Sequence, residues 1–231
     1  MGERVEISAD DGGHFGAYKA EPSSAPKGGI LLIQEIFGVN QVMRDLADAY
    51  AGLGYRVLCP DLFWRQEPGV DITDRTEAEW QKAFALFGGF DIDLGVADLK
   101  ATAGALRRSL AGKKVGSVGY CLGGKLAFLM ATRSDLDCNV SYYGVGLHEL
   151  LGETPKIRQP LLMHIAAEDK FSTPEARDTV TSGMAKVPTA EVHVYPGVNH
   201  AFARVGGEHF DAPAATLAND RTRAFFQKHI G

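Results

Sequence analysis

Gly119-Tyr120-Cys121-Leu122-Gly123-Gly124 follows directly on the apolar run Lys114-Val115-Gly116-Ser117-Val118. The run reads as a buried strand, the next residues as a very tight turn, and Leu122 onward, through Ala127, Phe128 and Met130, as a helix. The glycines have a steric purpose. The residue at the turn sits in a strained backbone conformation, and a side chain two positions before or after it would strike the neighbouring strand or helix. Such a turn holds one sulfur out at the carboxyl edge of a sheet, above a helix N-terminus that favours negative charge. The pattern Gly-x-Cys-x-Gly between strand and helix is that of a presented nucleophile.

Working outward, strands alternate with helices. Val5–Ile7 and His14–Ala20 read as two early strands joined by Asp10-Asp11-Gly12-Gly13. Gly29 to Gln34 is apolar almost throughout, as a strand covered on both faces should be. A helix is expected from Gln41 to Leu53, a strand from Tyr55 to Cys59, and two helices over residues 73–110, split at Gly88-Gly89. Beyond the central turn come strands at Cys138–Tyr143, Pro160–Ile165 and Glu191–Tyr195, and helices at Thr173–Ala185 and Ala212–His229. This alternation argues for one α/β domain over residues 1–231, with a mostly parallel sheet and helices on both faces. In such sheets ligands bind beyond the carboxyl ends of the strands.

The strand ends carry the chemistry. The Gly29–Gln34 strand leads into Glu35-Ile36-Phe37-Gly38, the Pro160–Ile165 strand into Ala166-Ala167-Glu168-Asp169, and the Glu191–Tyr195 strand into Pro196-Gly197-Val198-Asn199-His200. Nucleophile, acid and histidine therefore come in the order of the α/β-hydrolase fold. Cys121 is the candidate nucleophile, His200 the base, and Asp169 the group that orients His200 and stabilises its charged form. Glu168 is the immediate rival of Asp169, which is favoured by its place in the turn before Pro174. The backbone N–H groups of Leu122 and Ile36 are the candidate oxyanion donors. His164 lies inside a strand and reads as a core histidine. Cys59 and Cys138 read as small buried hydrophobes.

Composition narrows the partners. The chain has 231 residues, 45% hydrophobic and 23% charged, with a net charge of −5 and no basic block, so nucleic acid and anionic membranes are poor partners. No apolar run approaches the ~18 residues of a membrane span, and Met1–Ile7 does not read as a signal segment. Three scattered cysteines form no disulfide framework, and a cytoplasmic location is expected. No zinc-binding spacing occurs, and neither metal nor cofactor is expected. Gly119 to Lys125 matches the first seven positions of a phosphate-binding loop, but the eighth, which must be Ser or Thr to hold magnesium, is Leu126.

With these residues in place, the chain resembles the dienelactone hydrolase family (carboxymethylenebutenolidases) along nearly its whole length. The likeness is carried by Gln34-Glu35-Ile36-Phe37-Gly38, Pro60-Asp61-Leu62-Phe63, the Cys121 turn, Tyr142-Tyr143-Gly144-Val145-Gly146, the Asp169 turn and His200-Ala201-Phe202-Ala203-Arg204. The resemblance implies a single α/β-hydrolase domain with a Cys–His–Asp triad. It also implies that Glu35 contacts the resting thiol and becomes its base once substrate arrives; the plainer reading is a cap on the following segment. Arg204 matches one of two carboxylate-binding arginines, and the position of the other falls on Trp80. Phe84 stands where a tyrosine is expected. Phe37 and Tyr142 complete the implied substrate-contacting set, although Tyr142 equally suits a half-buried strand position.

The expected reaction is the opening of an enol lactone, or cleavage of an activated ester, through a thioester on Cys121. The expected substrate is a small molecule carrying a carboxylate, and the expected state a monomer or weak homodimer. A broad carboxylesterase or thioesterase on the same triad is the second enzymatic reading. A non-catalytic binding protein that keeps the fold is the reading from another class; such a protein has no need of Cys121, Asp169, His200 and Glu35 together.

Overall fold

A computed structural model describes residues 2–231. The fold gathers into two compact units, one ending at Val115 and the other spanning Gly116–Gly231. In the first unit, β1 (Glu3–Ser8) and β2 (His14–Ala20) form an antiparallel hairpin in register from Glu3↔Lys19 to Ser8↔His14. β2 also pairs antiparallel with β4 (Arg56–Pro60), and β4 pairs parallel with β3 (Gly29–Ile33). Every residue of β3 is buried, as its unbroken apolar sequence requires. The helices α1 (Gln41–Gly52), α2 (Glu77–Gly88) and α3 (Ile92–Arg108) begin at side-chain caps. Asn40, Thr76 and Asp91 each accept a first-turn backbone N–H that has no partner within the helix.

The second unit is parallel throughout. β5 (Val115–Tyr120), β6 (Cys138–Tyr142), β7 (Leu161–Ala166) and β8 (Ala190–Tyr195) pair in chain order. Between them run α4 (Leu122–Arg133) and α5 (Pro174–Met184), and α6 (Ala212–Ile230) ends the chain. The register sets Tyr120 beside Tyr142, Tyr142 beside His164, and His164 beside His193. Rings therefore meet across the strands: Tyr120 and Tyr142 stack at 4.6 Å, and Tyr142 lies 4.3 Å from His164. α6 closes over this row through Asn219 and Thr222, which bond the Tyr142 hydroxyl at 2.9 and 2.7 Å.

The expected strands and helices are present, with ends shifted by one or two residues except at the start of α2, expected from residue 73 and found at Glu77. One segment was not expected, a 3-10 helix over Leu147–Lys156. Leu147, Leu150 and Leu151 are spaced as on a helix face, but Gly152 and Pro155 interrupt that pattern after little more than one turn, so the sequence does not read as a helix.

Candidate active site

β5 ends at Tyr120 and α4 starts at Leu122, leaving Cys121 alone on the turn. Its backbone is at φ 58, ψ −115, a region that costs a residue with a side chain about 1–3 kcal/mol. The turn is pinned on both sides. Cys121 N–H donates to the Tyr142 carbonyl on β6, and the Cys121 carbonyl accepts Lys125 N–H as α4 begins, both at 3.1 Å. A methyl group on Gly119 would strike the Gly123 carbonyl, and one on Gly124 would strike the Tyr142 carbonyl and Gly144. Glycine at these two positions is thus what permits the turn. Leu122 is the first residue of α4, a position whose N–H has no acceptor within the helix.

Asp169 and His200 meet. Asp169 Oδ2 lies 2.8 Å from His200 Nδ1, and both side chains are buried. Asp169 Oδ1 accepts Phe171 N–H at 2.8 Å, which fixes the carboxylate plane. Glu168, the rival acid, is exposed. The imidazole lies between two aromatic rings, Phe171 at 4.8 Å and Tyr143 at 5.1 Å. Nε2, the nitrogen facing away from Asp169, is buried and makes no hydrogen bond of normal geometry among the described residues.

Charge decides the state of this ring. Burial is the largest influence on His200 and opposes the charged form. The charge of Cys121 and the hydrogen bond and charge of Asp169 together outweigh it, and the histidine is raised from 6.5 to about 10. The cysteine sulfur thus lies near a charged ring. Cys59 is wholly buried, and desolvation pushes its thiol up.

Tyr142 is fully buried, with its hydroxyl held by Asn219 and Thr222. Tyr143 is the tyrosine against His200, and it reaches this place through φ 37. The chain leaves β6 at Tyr142, so the period-two alternation no longer applies to the next residue. Arg204 is buried at the end of the turn that follows His200.

In the first unit, Glu35, Ile36 and Phe37 follow β3 and are all buried. Gln34 braces this segment: its Nε2 donates to the Glu35 carbonyl at 3.3 Å and its Oε1 accepts Leu62 N–H at 3.1 Å. Sequence reasoning left Gln34 as the last residue of a strand, although a fully buried amide always needs such partners. Trp80 and Phe84, four residues apart on α2, stack at 5.4 Å, and Phe37 meets the Trp80 ring edge at 5.1 Å. The Trp80 Nε1–H donates to the Asp74 carbonyl at 2.9 Å. Phe84 remains 46% exposed, an apolar face open to solvent within this unit. Lys82, the cation nearest in sequence, pairs with Glu67 at 2.6 Å.

Phe171, Tyr143 and Gln34 are the site neighbours that sequence reasoning missed. Only Gln34, directly before Glu35, carried a legible signal. Among the described residues no group of three or more His, Cys, Asp or Glu side chains is placed to hold a metal ion. No described helix is long and apolar enough to cross a membrane.

The likeness to known proteins is extensive. A protein of Azospirillum brasilense provisionally named carboxymethylenebutenolidase is 54% identical over 230 residues, covering 98% of this chain and 99% of the relative. The carboxymethylenebutenolidase of Pseudomonas putida is 40% identical over 224 residues, covering 96% and 95%. A crystal structure described as a dienelactone hydrolase of Klebsiella pneumoniae superposes with a TM-score of 0.85 at 25% identity, over 99% of this chain and all of that one. The dienelactone hydrolase of Anabaena variabilis shares the fold with a TM-score of 0.74 at 18% identity, over 100% and 99%. These neighbours carry the α/β-hydrolase fold, which is the fold of this chain. The profile of the "Dienelactone hydrolase family" matches residues 15–230, and a match of that extent, joined to relatives this close, means that the chain belongs to the dienelactone hydrolase family.

Proposed function

We propose that this hydrolase opens enol lactones, or cleaves activated esters, through a thioester on Cys121. The observation that supports it most is the setting of His200: its Nδ1 is 2.8 Å from Asp169, and Cys121 helps to hold the ring charged. In the proposed cycle the sulfur attacks the acyl carbon, and the N–H groups of Leu122 and Ile36 receive the developing oxyanion. The tetrahedral adduct collapses to a thioester and expels the enolate or alkoxide, which takes a proton from His200. His200 then removes a proton from water, and the hydroxide attacks the thioester. The acid is released and the sulfur regains its charge beside the imidazolium. Asp169 orients His200 throughout. Glu35 is assigned, by resemblance alone, as the group that keeps the resting thiol in check.

A thiolate suits esters with good leaving groups, and an enolate is one. Arg204 is the proposed partner of a substrate carboxylate. The Phe37–Trp80–Phe84 stack favours a larger or more apolar substrate than simple dienelactone, because a guanidinium clamp cannot be replaced by an indole. A broad esterase or thioesterase preference fits the same stack, whose outer ring Phe84 is exposed, and is the second reading. The phosphate-loop reading receives no support, since Leu126 at the magnesium position is fully buried.

One screen tests this. Dienelactone, p-nitrophenyl esters of increasing acyl length and thioesters are assayed with the parent enzyme and Cys121→Ala. Activity is expected to fall by at least about 10⁴-fold in the variant, with an unchanged circular-dichroism spectrum. Full activity in Cys121→Ala would falsify the mechanism. Apolar acyl esters are expected to outpace dienelactone. If dienelactone is turned over as efficiently as by a family member carrying both arginines, the apolar preference fails.

A further inference from the structure

Asp169 and His200 stand on separate loops, and the backbone pairs seen between those loops among the described residues lie before both of them. β7 and β8 are in register as far as Ala166↔Tyr195. Past the strands, Ala167 N–H donates to the Tyr195 carbonyl at 2.9 Å and Glu168 N–H to the Val198 carbonyl at 3.0 Å. The next link is a side chain. Asn199 Oδ1 accepts Lys170 N–H at 3.0 Å and His200 N–H at 2.7 Å. Both partners are backbone donors, so the amide oxygen must face them, and its two lone pairs suit two donors. One oxygen atom thus ties the residue after Asp169 to His200 itself.

We propose that Asn199 is a positioning residue that sets the Asp169–His200 hydrogen bond by clamping the two loops one step beyond the end of the sheet. The need for a clamp is visible in the next residue. Ala201 is at φ 61, a conformation that costs a non-glycine residue about 1–3 kcal/mol and that only surrounding contacts can hold. Without the Asn199 oxygen, His200 N–H and Lys170 N–H lose their shared acceptor, and the imidazole is free to drift from Asp169 Oδ2. The role in turnover rests on the catalytic reading of Cys121, Asp169 and His200; the clamp itself does not.

The test compares Asn199→Leu and Asn199→Ala, which lack the acceptor, with Asn199→Asp, which keeps it. Turnover of p-nitrophenyl acetate, its pH profile, the low-field proton resonance of the Asp169–His200 hydrogen bond and the thermal midpoint are recorded for each. In the Leu and Ala variants kcat is expected to fall about 10–100-fold with KM within about 3-fold, and the resonance to broaden or vanish, because the ring is displaced and substrate binding is not. Asn199→Asp is expected to keep the resonance and most of kcat. Its added charge favours the charged ring, so the high-pH limb of its profile moves upward. An unchanged kcat and resonance in whichever of the Leu and Ala variants folds overturns the proposal. So does an Asn199→Asp variant that loses as much as they do. If the parent shows no Cys121-dependent turnover, the proposed function fails, while the resonance across the variants still decides the clamp.

Discussion

Two histidines of the second unit, His164 and His200, are almost equally buried, at 1% and 3% exposure, and burial alone would drive both to the neutral form. They diverge. His164 sits in the ring row of the sheet, its Nδ1 2.8 Å from the Tyr195 hydroxyl and its Nε2 2.9 Å from the Thr222 hydroxyl. Burial, helped by the charges of His193 and Arg221, holds it well below the usual range. His200 stands just past the sheet with a carboxylate on one side and a sulfur on the other, and it is raised to about 10. Burial does not make a histidine a candidate base. The charge of its partners does.

Replacing Asp169 by Asn attacks this contrast most directly. The new amide supplies no charge and offers an N–H₂ group that can favour the wrong tautomer. kcat is expected to fall about 10²–10⁴-fold in steady-state assays with p-nitrophenyl esters. An Asp169→Asn enzyme of near-parental kcat would remove Asp169 from the mechanism.

A smaller effect is expected for His200 in Cys121→Ser. The hydroxyl carries no charge near neutrality, so only Asp169 then offsets burial, and the ring should titrate well below about 10. NMR titration of the imidazole checks this. The sign for stability follows from the raised value. The folded protein keeps this proton where an unfolded histidine, near 6.5, has released it. The contribution to stability is complete below about pH 6.5 and is lost as pH rises through about 10. Denaturation at fixed pH values should show a smaller loss, beginning near the same pH but complete at lower pH, in Cys121→Ser.

The smallest effect belongs to the other member of the pair. His164→Leu leaves the Tyr195 and Thr222 hydroxyls each short of one partner. Both retain another, Arg221 at 3.0 Å for Tyr195 and Tyr142 at 2.7 Å for Thr222. A loss of about 1–3 kcal/mol is expected, which lowers the thermal midpoint by about 2–4 °C per kcal/mol. Ester turnover should stay at the parental level. A large loss of kcat without loss of stability would mean that His164 belongs to the chemistry after all.

Much of the candidate site was legible because it depends on position along the chain. A cysteine between glycines at a strand–helix junction, an acidic residue after a later strand and a histidine after the last one are all local features. The strand ends that bear them were correct to within a residue or two. Tyr142 and Tyr143 show where legibility stops. The residues are adjacent, and nothing in the local pattern says that the chain turns through φ 37 at the second and aims it at His200. Phe171 and Asn199 were hidden for a related reason: their partners are 29 residues distant, and a loop phenylalanine or asparagine carries no periodic signal.

By itself, the amino-acid sequence determined the elbow, the order of the three candidate groups, the parallel core strands and the family. Each of these is written in residue type and spacing, which local sterics and hydrophobic periodicity translate directly. Only the tertiary structure decided that Asp169 and not Glu168 meets His200, that the Tyr143 ring lies against it, and that His200 is held charged while His164 is not. Those outcomes depend on which groups lie within a few ångströms across separate loops, and Coulomb and hydrogen-bond energies fall off too steeply for chain position to foretell them.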